Sequence, residues 1–129
     1  MAKLLVLGFI ATAIFLVACG DGAALPSPAQ HWKEMEIHIE TRPSPPRPGL
    51  VEILAIVTGP HGEPVPDLIV SMRTADGDPW VQAIQDGHLG VYRRAAKLGT
   101  GERSVLQLQV QRGNELNLLR FPLKLSDQS

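Results

Sequence analysis

The chain has 129 residues, of which 44% are hydrophobic, 19% charged and 5% aromatic. This length fits one small domain, and the hydrophobic content is too high for a disordered polyelectrolyte. Twelve Lys and Arg residues against 13 Asp and Glu residues give a formal net charge of −1, which excludes a protein that binds nucleic acid by neutralising phosphates. The single Cys excludes an intramolecular disulfide framework.

The first twenty residues have the pattern of a bacterial export signal. Lys3 supplies a positive charge, and residues 4–17 form an apolar stretch that suits a signal-peptide core and is too short for a membrane span. Leu16 lies at the end of this stretch, Ala18 and Cys19 come directly after it, and a Gly-Asp-Gly spacer follows. An aliphatic residue three positions before a Cys, with a small residue directly before it, resembles the lipobox of bacterial lipoproteins.

The lipobox resemblance implies that an N-terminal signal helix is cleaved after Ala18. It also implies that diacylglycerol is attached to the sulfur of Cys19 and that the new amino terminus is acylated. Several acyl chains anchor a protein stably, because each buried methylene contributes about 0.8 kcal/mol. An ordinary signal peptide with an incidental Cys is the alternative. The next residue is Gly20 and not Asp, which by resemblance to enteric sorting favours the outer over the inner membrane.

The chain is expected to have four parts. Residues 1–18 are the signal peptide, residues 19–30 are the lipidated Cys with a flexible tether, residues 31–125 are the folded domain, and residues 126–129 are a polar tail. Gly and Pro interrupt the folded part every several residues, which leaves segments too short for ordinary helices and suitable for strands. Residues 92–98 favour helix individually, but the flanking glycines leave too little length.

Seven strands are expected, at residues 34–41, 50–58, 68–74, 80–84, 89–95, 105–111 and 116–125. Short strands at this spacing, separated by turn-forming segments, predict an all-β fold, specifically a seven-stranded immunoglobulin-like β-sandwich. Among these segments, Gly113-Asn114 supplies the residues that allow positive φ in a hairpin.

Alternation predicts which side chains of these strands face the core. Met35, Ile37 and Ile39 are expected inward in the first strand. In the sixth strand, Leu106, Leu108 and Val110 are expected inward, and the intervening glutamines outward. Pro122 favours an edge position or a bulge in the last strand, because a central strand would lose a ladder hydrogen bond there.

Two stretches carry motifs of a known kind of bacterial domain. Pro48-Gly49 leads into a buried strand, and residues 59–67 read Gly-Pro-His-Gly-Glu-Pro-Val-Pro-Asp, similar to a D-x-x-G-x-P-V-x hairpin. Gly90-Val91-Tyr92 is similar to the G-x-Y beginning of a later strand, in which Tyr92 is expected to bury its ring and bond a backbone group through its hydroxyl.

Together these motifs resemble the YtkA-like and FixH-like periplasmic domains over residues 34–125, which implies an immunoglobulin-like fold. The chain departs from that pattern at Gly101-Glu102-Arg103, where the family tends to have Gly-x-Trp, and it lacks the Met-rich segment.

The sequence contains no motif of a serine hydrolase, zinc protease, thiol oxidoreductase or phosphate-binding loop. We therefore do not expect an enzyme. The family resemblance does imply an association with copper-oxidase maturation and envelope copper handling, and copper(I) favours Met and His ligands. His31, Met35 and His38 are the candidate metal ligands, although strand alternation directs Met35 inward and His38 outward.

The sequence thus predicts a non-catalytic, lipid-anchored binding or accessory module of the cell envelope that faces the periplasm. Its expected contacts are the membrane, through lipid on Cys19, and another envelope protein. A copper-handling or oxidase-maturation accessory lipoprotein is the alternative, and an enzyme subunit or adhesin is a third possibility.

Overall fold

The computed structural model describes residues 27–99 and 103–126. Within these ranges the chain contains strands and no helix, which confirms the all-β prediction. The nine strands are β1 (Gln30–Trp32), β2 (Met35–Arg42), β3 (Gly49–Thr58), β4 (Ile69–Arg73), β5 (Val81–Gln82), β6 (Ile84–Gln85), β7 (Val91–Leu98), β8 (Arg103–Arg112) and β9 (Glu115–Lys124).

The strands form two antiparallel sheets. One has the order β1-β2-β3-β7-β6, and the other has the order β5-β4-β8-β9. One face of each sheet contributes to a single hydrophobic core, which contains side chains from β2, β3 and β7 of the first sheet and from β4, β8 and β9 of the second. Each sheet therefore has an inner face on the core and an outer face on the opposite side.

The alternation predicted for the strands β2 and β8 is confirmed. Met35, Ile37 and Ile39 of β2 are buried, whereas Glu36 and Glu40 between them are exposed. Every second side chain of β8 from residue 106 to residue 110 is fully buried. Period-two burial follows from the pleat of a strand, so an apolar residue at every second position specifies the inner face.

The segment predicted as one strand at residues 80–84 is divided between the two sheets. Val81–Gln82 pairs with β4, and Ile84–Gln85 pairs with β7. Ala83 between them is buried, and its N–H donates to the carbonyl of Val70 at 2.7 Å. The chain crosses from one sheet to the other at this small residue.

The amino-terminal strand β1 has no counterpart among the expected strands. Gln30, which the sequence assigned to the tether, pairs with Ile37, and Trp32 pairs with Met35. The two residues between Trp32 and Met35 form the turn, and Lys33 adopts a φ of 57° there. Gly or Asn usually occupies a hairpin position with positive φ, so a Lys there does not indicate a turn in the sequence.

The strand β9 lies at the edge of its sheet, as Pro122 predicted. It is joined to β8 by the two-residue turn Gly113-Asn114, in which Gly113 has a φ of 59°. A Gly at the first turn position allows the tight hairpin that the sequence indicated here.

Candidate functional site

The structure places the three candidate metal ligands on opposite faces of the first sheet. Met35 is buried on the inner face, with 1% of its surface exposed. His31 lies on the outer face opposite Glu36, and its Nε2 atom is 3.5 Å from a carboxylate oxygen of that residue. His38 is half-buried on the outer face opposite Ile56. The thioether and the two imidazoles do not converge, so these residues do not fit a shared copper(I) site.

The other two histidines lie in exposed turns at residues 61 and 88. Within residues 27–99 and 103–126, no group of three or more His, Cys, Asp or Glu side chains is arranged to hold a metal ion. The same ranges contain no helix with the length and apolarity of a membrane span.

The lipobox residues Ala18 and Cys19 lie outside the described residues. The predicted signal cleavage and lipidation therefore remain expectations from the sequence.

Three large apolar side chains are exposed close together on the outer face of the β5-β4-β8-β9 sheet. Ile69 on β4, Leu116 on β9 and Leu118 on β9 are 47%, 53% and 60% exposed. Their positions align across β8: Ile69 and Leu116 flank Gln111, and Leu118 lies opposite Gln109. Aliphatic and glutamine side chains thus alternate across this face, which we call the aliphatic face.

A polar cluster borders the aliphatic face one row further along the strands. Arg73, Gln107 and Arg120 are aligned across β4, β8 and β9. The Nε atom of Arg73 donates to Oε1 of Gln107 at 2.7 Å, and Nε2 of Gln107 donates to Oδ1 of Asp76 at 2.6 Å. Both ends of the Gln107 amide are thereby satisfied, as a buried amide requires.

The carboxylate of Asp76 also lies near both arginines. Its Oδ1 atom is 3.8 Å from Arg73 Nη2 and 3.9 Å from Arg120 Nη2. The Arg73 guanidinium lies over the ring of Trp80, with its carbon 4.3 Å from the ring centre, in cation–π geometry. Arg73 is therefore held from several sides, whereas the Arg120 side chain is 65% exposed. The Arg120 guanidinium is available to pair with a carboxylate outside the domain.

Two clefts open beside the polar cluster. One has a volume of about 470 Å³ and is lined by Thr74, Lys97, Ser104, Arg120 and neighbouring residues. The other has a volume of about 340 Å³, and its lining includes Met72, Arg94 and Lys97. Both are bounded by the turn that follows β4, and cationic side chains line both.

Sequence reasoning did not identify the polar cluster. The alternation of β8 placed Gln107 on the outer face in the same way as its neighbour Gln109. Gln107 does lie on the outer face, but only 7% of its surface is exposed. The side chains that hydrogen-bond its amide come from β4 and from the turn that follows β4, at sequence separations of 34 and 31 residues. No local pattern reports such pairings.

No protein-family model, curated protein or solved structure matches this chain. The resemblance to YtkA-like and FixH-like domains therefore depends on the sequence motifs alone.

Proposed function

We propose that this chain is a lipid-anchored protein of the bacterial envelope whose immunoglobulin-like sandwich binds another envelope protein without catalysis. The aliphatic face carries the binding part of this proposal. Soluble proteins seldom keep several large aliphatic side chains adjacent and exposed unless a partner covers them. Ile69, Leu116 and Leu118 form such a group, and Arg120 beside them supplies a charge for orientation.

The order of the strands supports the immunoglobulin-like part of the proposal. The strands β2-β3-β7-β6 follow the A-B-E-D order of that fold when strands are lettered along the chain, and β4-β8-β9 follow the C-F-G order. In this comparison β1 is an extension of the first strand, and β5 is an additional edge strand beside β4.

The composition of the aliphatic face indicates the chemistry of the partner surface. Interfaces between proteins are enriched in Arg and aromatic residues and depleted in Lys, Glu and Asp at their centre. Glutamines separate the exposed aliphatic side chains here, and Arg73, Trp80 and Arg120 lie at one border. We therefore expect an apolar partner surface that presents a carboxylate to Arg120.

Photo-crosslinking in intact cells tests the binding proposal. A benzophenone amino acid at Leu118 is expected to give one discrete adduct with an envelope protein, and the additional substitution Leu116→Asp is expected to remove it. The matched control is a benzophenone at Leu50, which is 76% exposed on the outer face of the other sheet. Absence of an adduct from position 118, or identical adducts from both positions, would contradict the proposal.

The proposed anchor is tested separately. Cys19→Ser is expected to abolish lipidation, because a hydroxyl does not ionise near neutral pH as a thiol does. Globomycin, which inhibits the lipoprotein signal peptidase, is expected to cause the lipidated precursor to accumulate. If the wild-type protein partitions into the aqueous phase of a detergent separation, it carries no lipid anchor.

A further inference from the structure

The strand directions define two ends of the sandwich. The pairings of β2 with β3, of β3 with β7, and of β4 with β8 place the 43–48 turn, the 74–80 turn and the last residues of β7 and β9 at one end. We call this the tether end. The turns at residues 33–34, 59–68, 86–90 and 113–114 lie at the opposite end, the distal end.

The tether end takes its name from the path of the chain into the domain. β1 runs from Gln30 towards Trp32, and Trp32 pairs with Met35 at the distal end. The side chain of Gln30 donates to the carbonyl of Arg120, on the tether side of β9. β1 therefore enters the domain running from the side of the tether end towards the distal end.

Cations predominate at the tether end. Among the described residues it has three carboxylates, at Glu52, Asp76 and Asp78. The cations at this end whose side chains the structure describes are Arg42, Arg47, Arg73, Arg94, Lys97, Arg120 and Lys124.

Most of these cations have no partner of opposite charge among the described residues. Arg73 and Arg120 share Asp76, and the carboxylate of Glu52 lies 3.7 Å from Arg93 in the middle of the sheet. Within the part of the chain that the structure describes, the five remaining cations have no carboxylate oxygen within 4 Å, and all are exposed. These five are Arg42, Arg47, Arg94, Lys97 and Lys124.

The distal end has the opposite balance. Both cations that the structure describes at this end are paired: Lys33 contacts Glu115, and Arg112 lies 2.6 Å from Glu34. The hydrogen bond from Arg112 also lowers the pKa of Glu34. Four further carboxylates lie at this end, at Glu36, Glu63, Asp67 and Asp86.

We propose that the tether end is a docking surface for anionic lipid headgroups and that the acidic distal end points away from the membrane. This inference rests on the proposed lipid anchor at Cys19. Eight Cα-to-Cα steps separate Cys19 from Ser27, so the anchored lipid lies within about 28 Å of the described domain. The anchor therefore keeps the domain near the bilayer, and the charges at its two ends decide which end faces the lipid.

Electrostatics favour this orientation once the anchor is inserted. Each Lys or Arg close to an anionic leaflet strengthens attachment by about fivefold, and the attraction decays over roughly 8 Å at physiological salt. The paired cations and excess carboxylates of the distal end gain nothing from the same surface. In this orientation the aliphatic face stands at the side of the domain, accessible to a protein partner.

The test uses the full lipidated protein reconstituted into phosphatidylcholine vesicles with or without phosphatidylglycerol. Because lipid occupies Cys19, an introduced cysteine is the only free thiol. Ser44→Cys labels the tether end, and Asn114→Cys labels the distal end; both positions are exposed. Energy transfer from a fluorophore on each cysteine to an acceptor on the lipid headgroups reports how near each end lies to the bilayer.

We expect stronger transfer from position 44 than from position 114 in vesicles that contain phosphatidylglycerol, and a smaller difference in pure phosphatidylcholine or in high salt. The combined substitutions Arg47→Gln, Lys97→Gln and Lys124→Gln are expected to remove the dependence on phosphatidylglycerol. Lys33→Gln, which removes a cation from the distal end, is the control and is expected to leave it unchanged.

The outcomes separate the orientation from the anchor. If the protein floats with the vesicles but the two positions give equal transfer, the orientation inference is wrong and the anchor stands. If position 44 gives the stronger transfer irrespective of phosphatidylglycerol, tether length alone orients the domain and the lipid-docking surface is wrong. If the protein does not float with the vesicles, the proposed anchor itself fails.

Discussion

The hydroxyl of Tyr92 donates a hydrogen bond to the backbone carbonyl of Val65 at 2.7 Å. It also accepts one from the backbone N–H of Leu68 at 3.2 Å. The Tyr92 ring is 1% exposed in the core, so this side chain of β7 fixes the connection through which the chain passes from β3 in one sheet to β4 in the other. The expectation that Tyr92 buries its ring and bonds backbone groups is confirmed.

Tyr92→Phe is expected to lower the free energy of unfolding by about 1–3 kcal/mol, because it leaves the Val65 carbonyl and the Leu68 N–H without their partner. Urea denaturation measures this change. Tyr92→Leu, which also removes the ring, is the comparison and should cause a clearly larger loss. Equal stabilities of the wild type and the Phe variant would show that water replaces both hydrogen bonds.

The ionisation of Tyr92 should destabilise the fold in alkaline solution. Burial, the largest cause, raises the pKa of Tyr92 above its ordinary value of 10.0. The unfolded chain therefore ionises at lower pH than the folded one, and this contribution to stability is complete below pH 10 and is lost as pH rises through the folded pKa.

Tyr92 is the only tyrosine of the chain, so tyrosinate absorbance follows this group alone. We expect the folded protein to titrate above pH 10 and the urea-unfolded protein near it. A folded-state titration at or below the ordinary pKa would contradict the burial of the hydroxyl.

The structure also explains why the first residue of the Gly-x-Tyr motif, at position 90, is Gly. Gly90 has a φ of 71°, and a Cβ atom there would lie 2.6 Å from the carbonyl oxygen of Val57 and 2.9 Å from the N–H nitrogen of Val65. Gly90→Ala is expected to destabilise the fold by about 2 kcal/mol or more, because a left-handed conformation alone costs roughly 1–2 kcal/mol for other residues.

Gly87→Ala is the matched control for Gly90→Ala in thermal denaturation. Gly87 also has a positive φ, of 57°, but a Cβ atom there would meet nothing within 4 Å. The difference between the two variants isolates the close backbone approach at Gly90. If both variants lose the same stability, the contact with Val57 and Val65 contributes nothing beyond the strain.

The parts of the fold that were predictable from the sequence depend on local patterns. Alternation alone fixed the inner face of β2 from Met35 to Ile39. The Gly113-Asn114 pair marked the turn between β8 and β9, and Pro122 marked an edge strand. Each of these signals reflects a constraint that acts within a few residues of the chain.

The parts that were missed depend on contacts between distant residues. The division of residues 81–85 between two sheets depends on which strands lie beside Ala83. The polar cluster likewise requires β4, β8 and β9 to be in register, so that Arg73, Gln107 and Arg120 are aligned. The sequence alone therefore does not distinguish Gln107 from its neighbour Gln109.

Gln107 and Gln109 are therefore expected to respond differently to the same substitution. Gln107→Ala should lower the free energy of unfolding by about 1–2 kcal/mol, because Arg73, whose side chain is 22% exposed, loses its hydrogen-bond acceptor, whereas the exposed Asp76 can bind water instead. Gln109→Ala should change it by less than about 0.5 kcal/mol. Leu108→Ala, which creates a core cavity, should cost on the order of 2–5 kcal/mol. Equal effects of the two glutamine substitutions in urea denaturation would contradict the polar cluster.

Copper(I) is expected to bind the domain no more tightly than dispersed surface histidines and thioethers generally do. Tight binding requires soft ligands that converge on one point. Met35 is buried on the inner face of β2, whereas His31 and His38 lie on the outer face. Moving one side chain of β2 to the other face would require either a local bulge or a shift of one residue in the strand, and the shift would also expose Ile37 and Ile39.

Competitive titration of copper(I) against a chelator measures this affinity, with His31→Ala, Met35→Leu and His38→Ala compared with the wild type. Met35→Leu is informative because it preserves a hydrophobic side chain of similar volume in the core while it removes the sulfur. His88→Ala, in an exposed turn, is the control. If copper binds tightly at one per chain and any of the first three variants abolishes it, β2 must rearrange around the metal, and copper handling would replace protein binding as the leading proposal.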